Sequence, residues 1–256
     1  MKNIIELIKA GLFEEATSCA PEKICDDALF EVALESNITA CAFAYYLLLQ
    51  KDTRERHKCI EMLLFSFFCY LGYAEHAVYS HMLLSLEKSP DDVDLLRGQL
   101  WLFSSPDNDI DPAEFRNIAK QILLIDPTDK QAQEVLEQTC ALEGLAVTPL
   151  GEGLPIKEKI KKLIENGRFP AAKKELSAIS REELKGILRA IAHDKNICAY
   201  DFLWMLLAEQ EAADLHSLAA EMFEKDFCVM YAPIPGANVV QAFHERRARE
   251  LMVRCY

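Results

Sequence analysis

The fold is decided by two stretches of sequence, NITACAFAYYLLL at residues 37–49 and NICAYDFLWMLLA at residues 196–208. Six of the thirteen aligned positions are identical, where ordinary composition would give roughly one. Both stretches are apolar nearly all round a helix, and each begins with an Asn that can cap the free N–H groups of a helix start. We therefore predict that each forms the buried central helix of one of two duplicated units.

The repeat extends to both sides of these helices. The sequence LIKAGLFEEA at residues 7–16 matches LIENGRFPAA at residues 163–172 in its Leu, Ile, Gly, Phe and Ala. On the other side, His57 aligns with His216 at the same offset as the central helices. Similarity that extends over several predicted helices indicates an internal duplication.

Helical periodicity and the positions of Gly and Pro predict an all-α fold, in which helical hairpins stack into a right-handed α-α superhelix. The first unit is predicted to span residues 1–145, and the second, truncated unit residues 157–256. Residues 146–156 contain two Gly and two Pro, so they are the predicted linker. At the centre of the units, Leu47 and Leu206 are expected to be fully buried.

Residues 73–142 carry a second, shorter repeat. The joints LEKSPDD at residues 86–92 and LLIDPTD at residues 123–129 stand 37 residues apart, and each places a Pro between two predicted helices. This section resembles tetratricopeptide-type proteins, whose repeats are about 34 residues long. It lacks the Trp and the Leu-Gly of their first helix, and Trp101 falls late in its own helix.

The whole unit is also similar to uncharacterised bacterial helical-repeat proteins, some of which look like immunity proteins for secreted toxins. Stacked helical repeats present a long concave surface that binds extended segments or other domains. These resemblances therefore imply a regulatory or toxin-neutralising protein that works by binding another protein.

The net charge of −13 is carried entirely by the first part of the chain. Residues 1–150 contain 12 Lys and Arg against 25 Asp and Glu, whereas residues 151–256 contain 16 of each class. This balance opposes binding to nucleic acid, because contacts to phosphates need cations. It favours a basic protein or peptide as the partner, although an acidic surface can also serve only to keep a protein soluble.

Acidic side chains are crowded into the tetratricopeptide-like section. The candidate partner-binding residues are Asp91, Asp92, Asp94, Asp107, Asp109 and Asp111. The spaced aspartates of residues 104–111 are similar to those of a calcium-binding loop, but the Gly at the sixth place and the closing Glu are missing. We therefore predict a polar turn there and no metal.

Cysteine usage and hydropathy predict a cytoplasmic protein. The nine cysteines are odd in number and none stands in a C-x-x-C spacing, so neither a disulfide framework nor a zinc site is expected. Residues 1–9 lack the apolar core of a signal peptide. No stretch has the roughly 18 uncharged apolar residues that cross a bilayer, so no membrane association is predicted.

No known catalytic motif is present. The sequence has no Gly-rich phosphate loop, nucleophile elbow or metalloprotease motif. Glu61 follows His57 at four residues, but the equivalent position in the second unit is Ala220, so the aligned histidines are predicted to pack between helices. His76 and His81 lie about 140° apart around a helix, which suits a shared metal poorly. We predict no catalytic residue, cofactor or metal ligand.

The strongest basic cluster is HERRARE at residues 244–250. Nucleic-acid binding is one interpretation of such a cluster. Glu245 and Glu250 interleave with the arginines, however, which favours a charged face of the last helix with ion pairs between successive turns.

The sequence therefore favours a non-catalytic protein–protein interaction module. The alternative is an enzyme with an active site in a helical cleft. Convergent polar side chains with shifted pKa values in such a cleft would favour the enzyme. A broad, shallow, charged groove would favour the binding module.

Overall fold

The computed structural model describes residues 2–19, 22–104, 110–140, 150–222, 224 and 235–254. Every regular element in these ranges is helical, which confirms the all-α prediction. Within the same ranges, no helix is both long enough and apolar enough to cross a bilayer.

The described helices fall into two series along the chain. The first series is α1 (Lys2–Lys9), α2 (Phe13–Cys19), α3 (Glu22–Leu34), α4 (Thr39–Gln50), α5 (Arg54–Ser66), α6 (Ala74–Lys88), α7 (Val93–Leu102), α8 (Pro112–Ile125) and α9 (Lys130–Cys140). The second series is α10 (Ile156–Glu165), α11 (Phe169–Glu175), α12 (Arg181–His193), α13 (Cys198–Glu209), α14 (Ala213–Met222) and α15 (Ala237–Arg254), with a 3₁₀ turn, Leu176–Ala178, after α11.

The two central helices, α4 and α13, begin in the same way. Asn37 Oδ1 accepts hydrogen bonds from the Thr39 N–H at 3.1 Å and from the Thr39 hydroxyl at 2.8 Å. Asn196 Oδ1 accepts from the Cys198 N–H at 2.9 Å. Each Asn side chain therefore satisfies a free N–H group in the first turn, as its position in the sequence predicts.

Both central helices are buried along nearly their whole length. Phe43 and Phe202, which align in the repeat, are fully buried, and Leu47 is buried as well. The expectation of full burial is wrong for Leu206, which is half-buried. It lines an open groove together with Leu176 of the 3₁₀ turn, so its side chain reaches the surface.

Turns at matching positions share unusual backbone angles. Ser36 and Lys195, which precede α4 and α13, have φ angles of 55° and 67°. Gly11 and Gly167 follow α1 and α10 with φ angles of 69° and 65°. Glycine adopts this left-handed conformation without steric penalty and ends helices in this way. The two series therefore agree in turn geometry as well as in sequence.

The two series pack against each other. Helix α4 contacts α13 and α15, and α13 contacts α6. The Ile38 N–H donates to Pro235 O at 2.9 Å, and the Ile197 N–H donates to Gly72 O at 3.1 Å. The buried apolar residues of both series form one continuous core.

The tetratricopeptide-like section contains α6 to α9. Helix α7 packs on α6, α8 and α9, while α8 packs on α9. Helix α6 also packs along α5 and against α11 and α13 of the second series. Of the predicted linker 146–156, residues 146–149 lie outside the described residues, and residues 150–155 form a turn before α10.

Candidate functional site

Two of the predicted partner-binding aspartates are helix N-caps. Asp92 Oδ1 accepts from the Leu95 N–H at 3.1 Å, and its other carboxylate oxygen pairs with Arg54. Asp111 Oδ1 accepts from the Ala113 N–H at 2.8 Å at the start of α8. Both carboxylates accept hydrogen bonds from free N–H groups at the start of a helix, so they stabilise the fold.

Among the members of the predicted set that the structure describes, Asp91 and Asp94 are exposed. The Asp94 side chain is 89% exposed and lies 3.5 Å from Arg97. Arg97 is held more closely by Asp129, whose Oδ2 accepts from Arg97 Nε at 2.6 Å. Asp94 therefore remains available to a cation from outside. The other two members, Asp107 and Asp109, lie outside the described residues.

An apolar groove of about 310 Å³ opens between the end of α5, the start of α6 and the end of α7. Phe65 and Trp101 line it, with their rings edge to face and their centroids 4.8 Å apart. Phe65 is 41% exposed and Trp101 is 53% exposed. Both rings are therefore accessible to a side chain of another molecule.

Acidic side chains accompany this groove. Glu75 lines it directly. Asp94 stands seven residues before Trp101 in α7, which is about two helical turns and places both on the same face of the helix. The surface therefore combines apolar rings that can hold a side chain with carboxylates that can hold a cation.

A buried pair of histidines lies between α5 and α6. His57 Nδ1 and His81 Nδ1 are 2.7 Å apart, and each residue is 2% exposed. His57 Nε2 is 2.8 Å from Asp52 Oδ1, and His81 Nε2 is 2.8 Å from Asp201 Oδ1 in α13. Asp201 also accepts a hydrogen bond from the Tyr45 hydroxyl at 2.7 Å. A chain of hydrogen bonds thus runs from a half-exposed carboxylate to a buried one between the two series.

A matching pair lies between α14 and α15. His216 Nδ1 and His244 Nδ1 are 2.8 Å apart, and both residues are fully buried. His216 Nε2 is 3.3 Å from Glu211 Oε1, and His244 Nε2 is 2.8 Å from the Tyr200 hydroxyl. Arg247 holds Glu211 in turn. This second chain ends on a phenol, where the first ends on a carboxylate.

Hydrogen-bond chemistry determines how many protons each chain holds. Only one of two facing Nδ1 atoms can carry a hydrogen, because two N–H groups cannot point at each other at hydrogen-bonding distance. In the second chain the Tyr200 hydroxyl donates to His244 Nε2, so both rings are neutral. In the first chain, the contact between His81 and Asp201 needs a proton that a neutral ring and an ionised carboxylate do not provide. The first chain therefore holds one proton more than two neutral rings and two ionised carboxylates supply, whereas in the second chain the third proton is the hydroxyl proton of Tyr200.

Burial governs the protonation of the rings. It lowers the pKa of His57, and it lowers the pKa of His216 to about 4. The pKa of His244 is lowered well below its ordinary value, first by burial and then by the neighbouring His216. The pKa of Asp52 is lowered by the hydrogen bond from His57. At neutral pH the outer rings are therefore neutral and the Asp52 carboxylate is ionised.

The carboxylate partners of the aligned histidines do not lie at the spacing of Glu61 and Ala220, which follow each histidine by four residues. The partners are Asp52 and Glu211, five residues before His57 and its counterpart. These two acids align at the same offset as the histidines, so the repeat itself contained the signal.

His76 and His81 do not meet. His81 faces His57, whereas His76 stacks on Tyr73 with ring centroids 5.5 Å apart. Among the residues that the structure describes, no group of three or more His, Cys, Asp or Glu side chains is placed to hold a metal ion.

Two arginines of the basic sequence at residues 244–250 donate hydrogen bonds to other parts of the fold. Arg247 Nε donates to Glu211 at 2.5 Å, and Arg246 donates to Gly11 O at 2.8 Å. The arginines of α15 therefore connect it to the turn after α1 and to the residues before α14.

Comparison of the chain with protein-family models, with curated proteins and with solved structures found no match. Function is therefore inferred from the surface and the buried networks of this chain alone.

Proposed function

We propose that this chain is a non-catalytic protein-binding module with a regulatory or toxin-neutralising role, and that its partner is a basic protein or peptide. The observation that carries the proposal is the half-exposed pair of Trp101 and Phe65 in an apolar groove. Tryptophan is enriched among the interface residues whose truncation weakens binding most. The groove therefore suits an aliphatic or aromatic side chain of the partner.

The acidic side chains near this groove favour a positively charged partner. Glu75 lines the groove, and Asp91 and Asp94 are exposed at the start of α7 and just before it. Opposite charge on a partner speeds its association. Salt weakens this attraction, because the Debye length falls from about 10 Å at 0.1 M to about 3 Å at 1 M. A positively charged segment with an apolar anchor is the occupant that fits both features.

The buried histidines favour binding over catalysis. Shifted pKa values are a feature of active sites, and His57 and His216 have them. Catalysis also needs a group that is open to a substrate, and every ring nitrogen of the four paired histidines already has a partner within the protein. The groove beside Trp101 is lined by other side chains. We therefore assign the histidine networks a structural role.

We also propose that the two helix series are diverged copies related by a pseudo-twofold axis, and that α6 to α9 extend the first copy as stacked, TPR-like hairpins of a superhelix. Equivalent packing supports this arrangement. The ring centroids of Phe13 and Phe43 are 5.5 Å apart, and those of Phe169 and Phe202 are 5.1 Å apart. The matched histidine pairs and left-handed turns support it further.

A truncation at the groove tests the proposed function. Trp101→Ala should weaken binding of the partner by about 30-fold or more, because the loss of an interface hot spot is about 2 kcal/mol or more. The partner is obtained by affinity purification from the native host, and its affinity is measured by calorimetry at low and high salt.

The matched control is Leu124→Ala on α8, which removes a side chain that is 84% exposed. This variant should change the affinity by less than about threefold, as expected for a residue outside the interface. A partner that binds wild type and Trp101→Ala equally well, at either salt concentration, would contradict the proposal.

A further inference from the structure

A second groove, of about 540 Å³, lies between α6, α7, α8 and α11. Leu83 of α6 and Ile118 of α8 contribute apolar surface to it, and Gln99 of α7 lines it as well. Its volume falls within the range of about 300–1,000 Å³ that is usual for ligand pockets. It is separate from the groove beside Trp101, with which it shares no lining residue.

Gln99 is the unusual residue of this groove. Its side chain is 0% exposed, yet neither Oε1 nor Nε2 has a hydrogen-bond partner. A buried amide without a partner destabilises a protein, and native proteins leave few of them. The neighbouring Leu96 and Leu100 are buried in the same helix, so an apolar residue would suit the packing at this position. The polar amide therefore indicates an external partner.

Arg168, the residue before α11, provides a further hydrogen-bond donor. Its guanidinium lies 4.5 Å from the centroid of the Tyr79 ring and forms an ion pair with Glu114. The Tyr79 hydroxyl donates to Glu114 Oε2 at 2.8 Å, which holds the Glu114 carboxylate in place. Arg168 is 7% exposed, and its Nε–H is buried without a partner. The groove thus has two buried residues with unused hydrogen-bonding capacity.

We infer that this groove binds the main chain of an extended peptide segment of the partner, with the N–H and C=O of one peptide residue paired to the Gln99 amide and a neighbouring carbonyl accepting from Arg168. In an extended chain the N–H and C=O of one residue point to the same side, so they can meet the Gln99 Oε1 acceptor and Nε2 donor together. The inference rests on the proposed function and identifies a second contact of the same partner.

A peptide selection tests the inference. Random dodecapeptides displayed on phage are selected against the full-length chain, and the affinities of the selected peptides are measured by calorimetry. Gln99→Met keeps the length of the side chain and removes both polar atoms. It should weaken binding about tenfold or more, because it removes hydrogen bonds made in a buried site.

Gln121→Met is the matched control, since Gln121 lines the same groove but is exposed. It should change the affinity by less than about threefold, because an exposed amide exchanges its hydrogen bonds with water.

Thermal unfolding provides a second readout that needs no ligand. Because the Gln99 amide is unpaired in the free protein, Gln99→Met should raise the unfolding midpoint by about 2–4 °C. A lower midpoint would show that the amide is already paired inside the free protein, and would overturn the inference.

Three binding results would also overturn it. Peptides that bind wild type and Gln99→Met equally well would overturn the inference. They would leave the proposed function intact, since that function depends on Trp101. A selection that yields no peptide would also overturn the inference. Binding at Trp101 would then be tested by measuring the affinity of the host partner. Binding of free acetamide without any peptide would show a small-molecule site instead.

Discussion

At the scale of single residues, each buried histidine pair shows how a helical core accommodates titratable rings. Buried polar groups are tolerated when they are hydrogen-bonded, and all eight ring nitrogens of the two pairs have partners. The pairs differ at their inner ends, where one has a carboxylate and the other a phenol. The extra proton of the first chain makes the contact between His81 and Asp201 an acid–base pair. The corresponding contact of the second chain, between His244 and Tyr200, is a neutral hydrogen bond.

This difference predicts unequal effects of mutation. Asp201→Ala removes the buried carboxylate that shares a proton with His81 and should destabilise the fold by about 3–5 kcal/mol. Tyr200→Phe removes a single neutral hydrogen bond to His244 and should destabilise it by about 1–3 kcal/mol. Chemical denaturation of both variants measures the two losses. A larger loss for Tyr200→Phe would contradict the proton count.

The lowered pKa values predict how stability depends on pH. The His216 pKa is about 4 in the folded chain and about 6.5 in an unfolded one. The unfolded state therefore binds more protons below pH 6.5, so stability is complete above that pH and is lost as the pH falls towards 4. His216 alone should account for about 2 kcal/mol between pH 7 and pH 5. The lowered pKa values of Asp52 and Glu211 add to this dependence only below about pH 5, where carboxylates of the unfolded chain begin to bind protons.

Denaturant unfolding at pH 7 and pH 5 measures this dependence. His216→Gln keeps a donor near Glu211 but does not titrate, so its loss of stability over the same interval should be smaller than that of the wild type. Equal losses in wild type and variant would show that His216 is not the group responsible.

Sequence patterns predict local features at this scale and miss distant ones. The helix-capping roles of Asn37 and Asn196 follow from their position before an apolar helix, and the structure confirms both. The contact between His81 and Asp201 joins residues 120 positions apart. No local spacing indicates such a contact, because it depends on how the two helix series pack.

At the scale of the elements, the helices could be predicted because apolar periodicity, caps and breakers are local properties. The apolar stretches at residues 37–49 and 196–208 correspond to α4 and α13. The role of α6 could not be predicted in the same way. Helix α6 falls in the tetratricopeptide-like section, yet it also packs along α5 and against α13, where its buried His81 contacts Asp201.

The turns between elements provide a test of the packing. Gly167 has a φ of 65°, and a Cβ added there would lie 2.0 Å from the backbone oxygen of His76 in α6. Neither atom can move without shifting a helix, so Gly167→Ala should destabilise the fold by about 2 kcal/mol or more.

Gly186, inside α12, is the matched control, because a Cβ there meets no atom within 4 Å. Gly186→Ala should stabilise the fold by about 0.5–1 kcal/mol through helix propensity. Thermal unfolding compares the two variants, and a harmless Gly167→Ala would show that α6 and the turn after α10 are not in close contact.

At the scale of the whole molecule, the two helix series depend on each other. Helices α4 and α13 contact each other. In addition, α4 contacts α15 of the second series, and α13 contacts α6 of the first. The backbone hydrogen bonds from Ile38 to Pro235 and from Ile197 to Gly72 connect the same regions. Within the part of the chain that the structure describes, Phe65 of α5 and Trp101 of α7 remain half-exposed at the surface.

Site-specific photo-crosslinking in the native host tests the central claim, partner binding at this aromatic groove, most directly. A benzophenone amino acid replaces Phe65, and in a parallel strain it replaces Leu124, an exposed residue outside the groove. The account predicts one discrete covalent complex with a basic protein from position 65 and none from position 124. No complex from position 65, or an equal yield of the same complex from position 124, would contradict it.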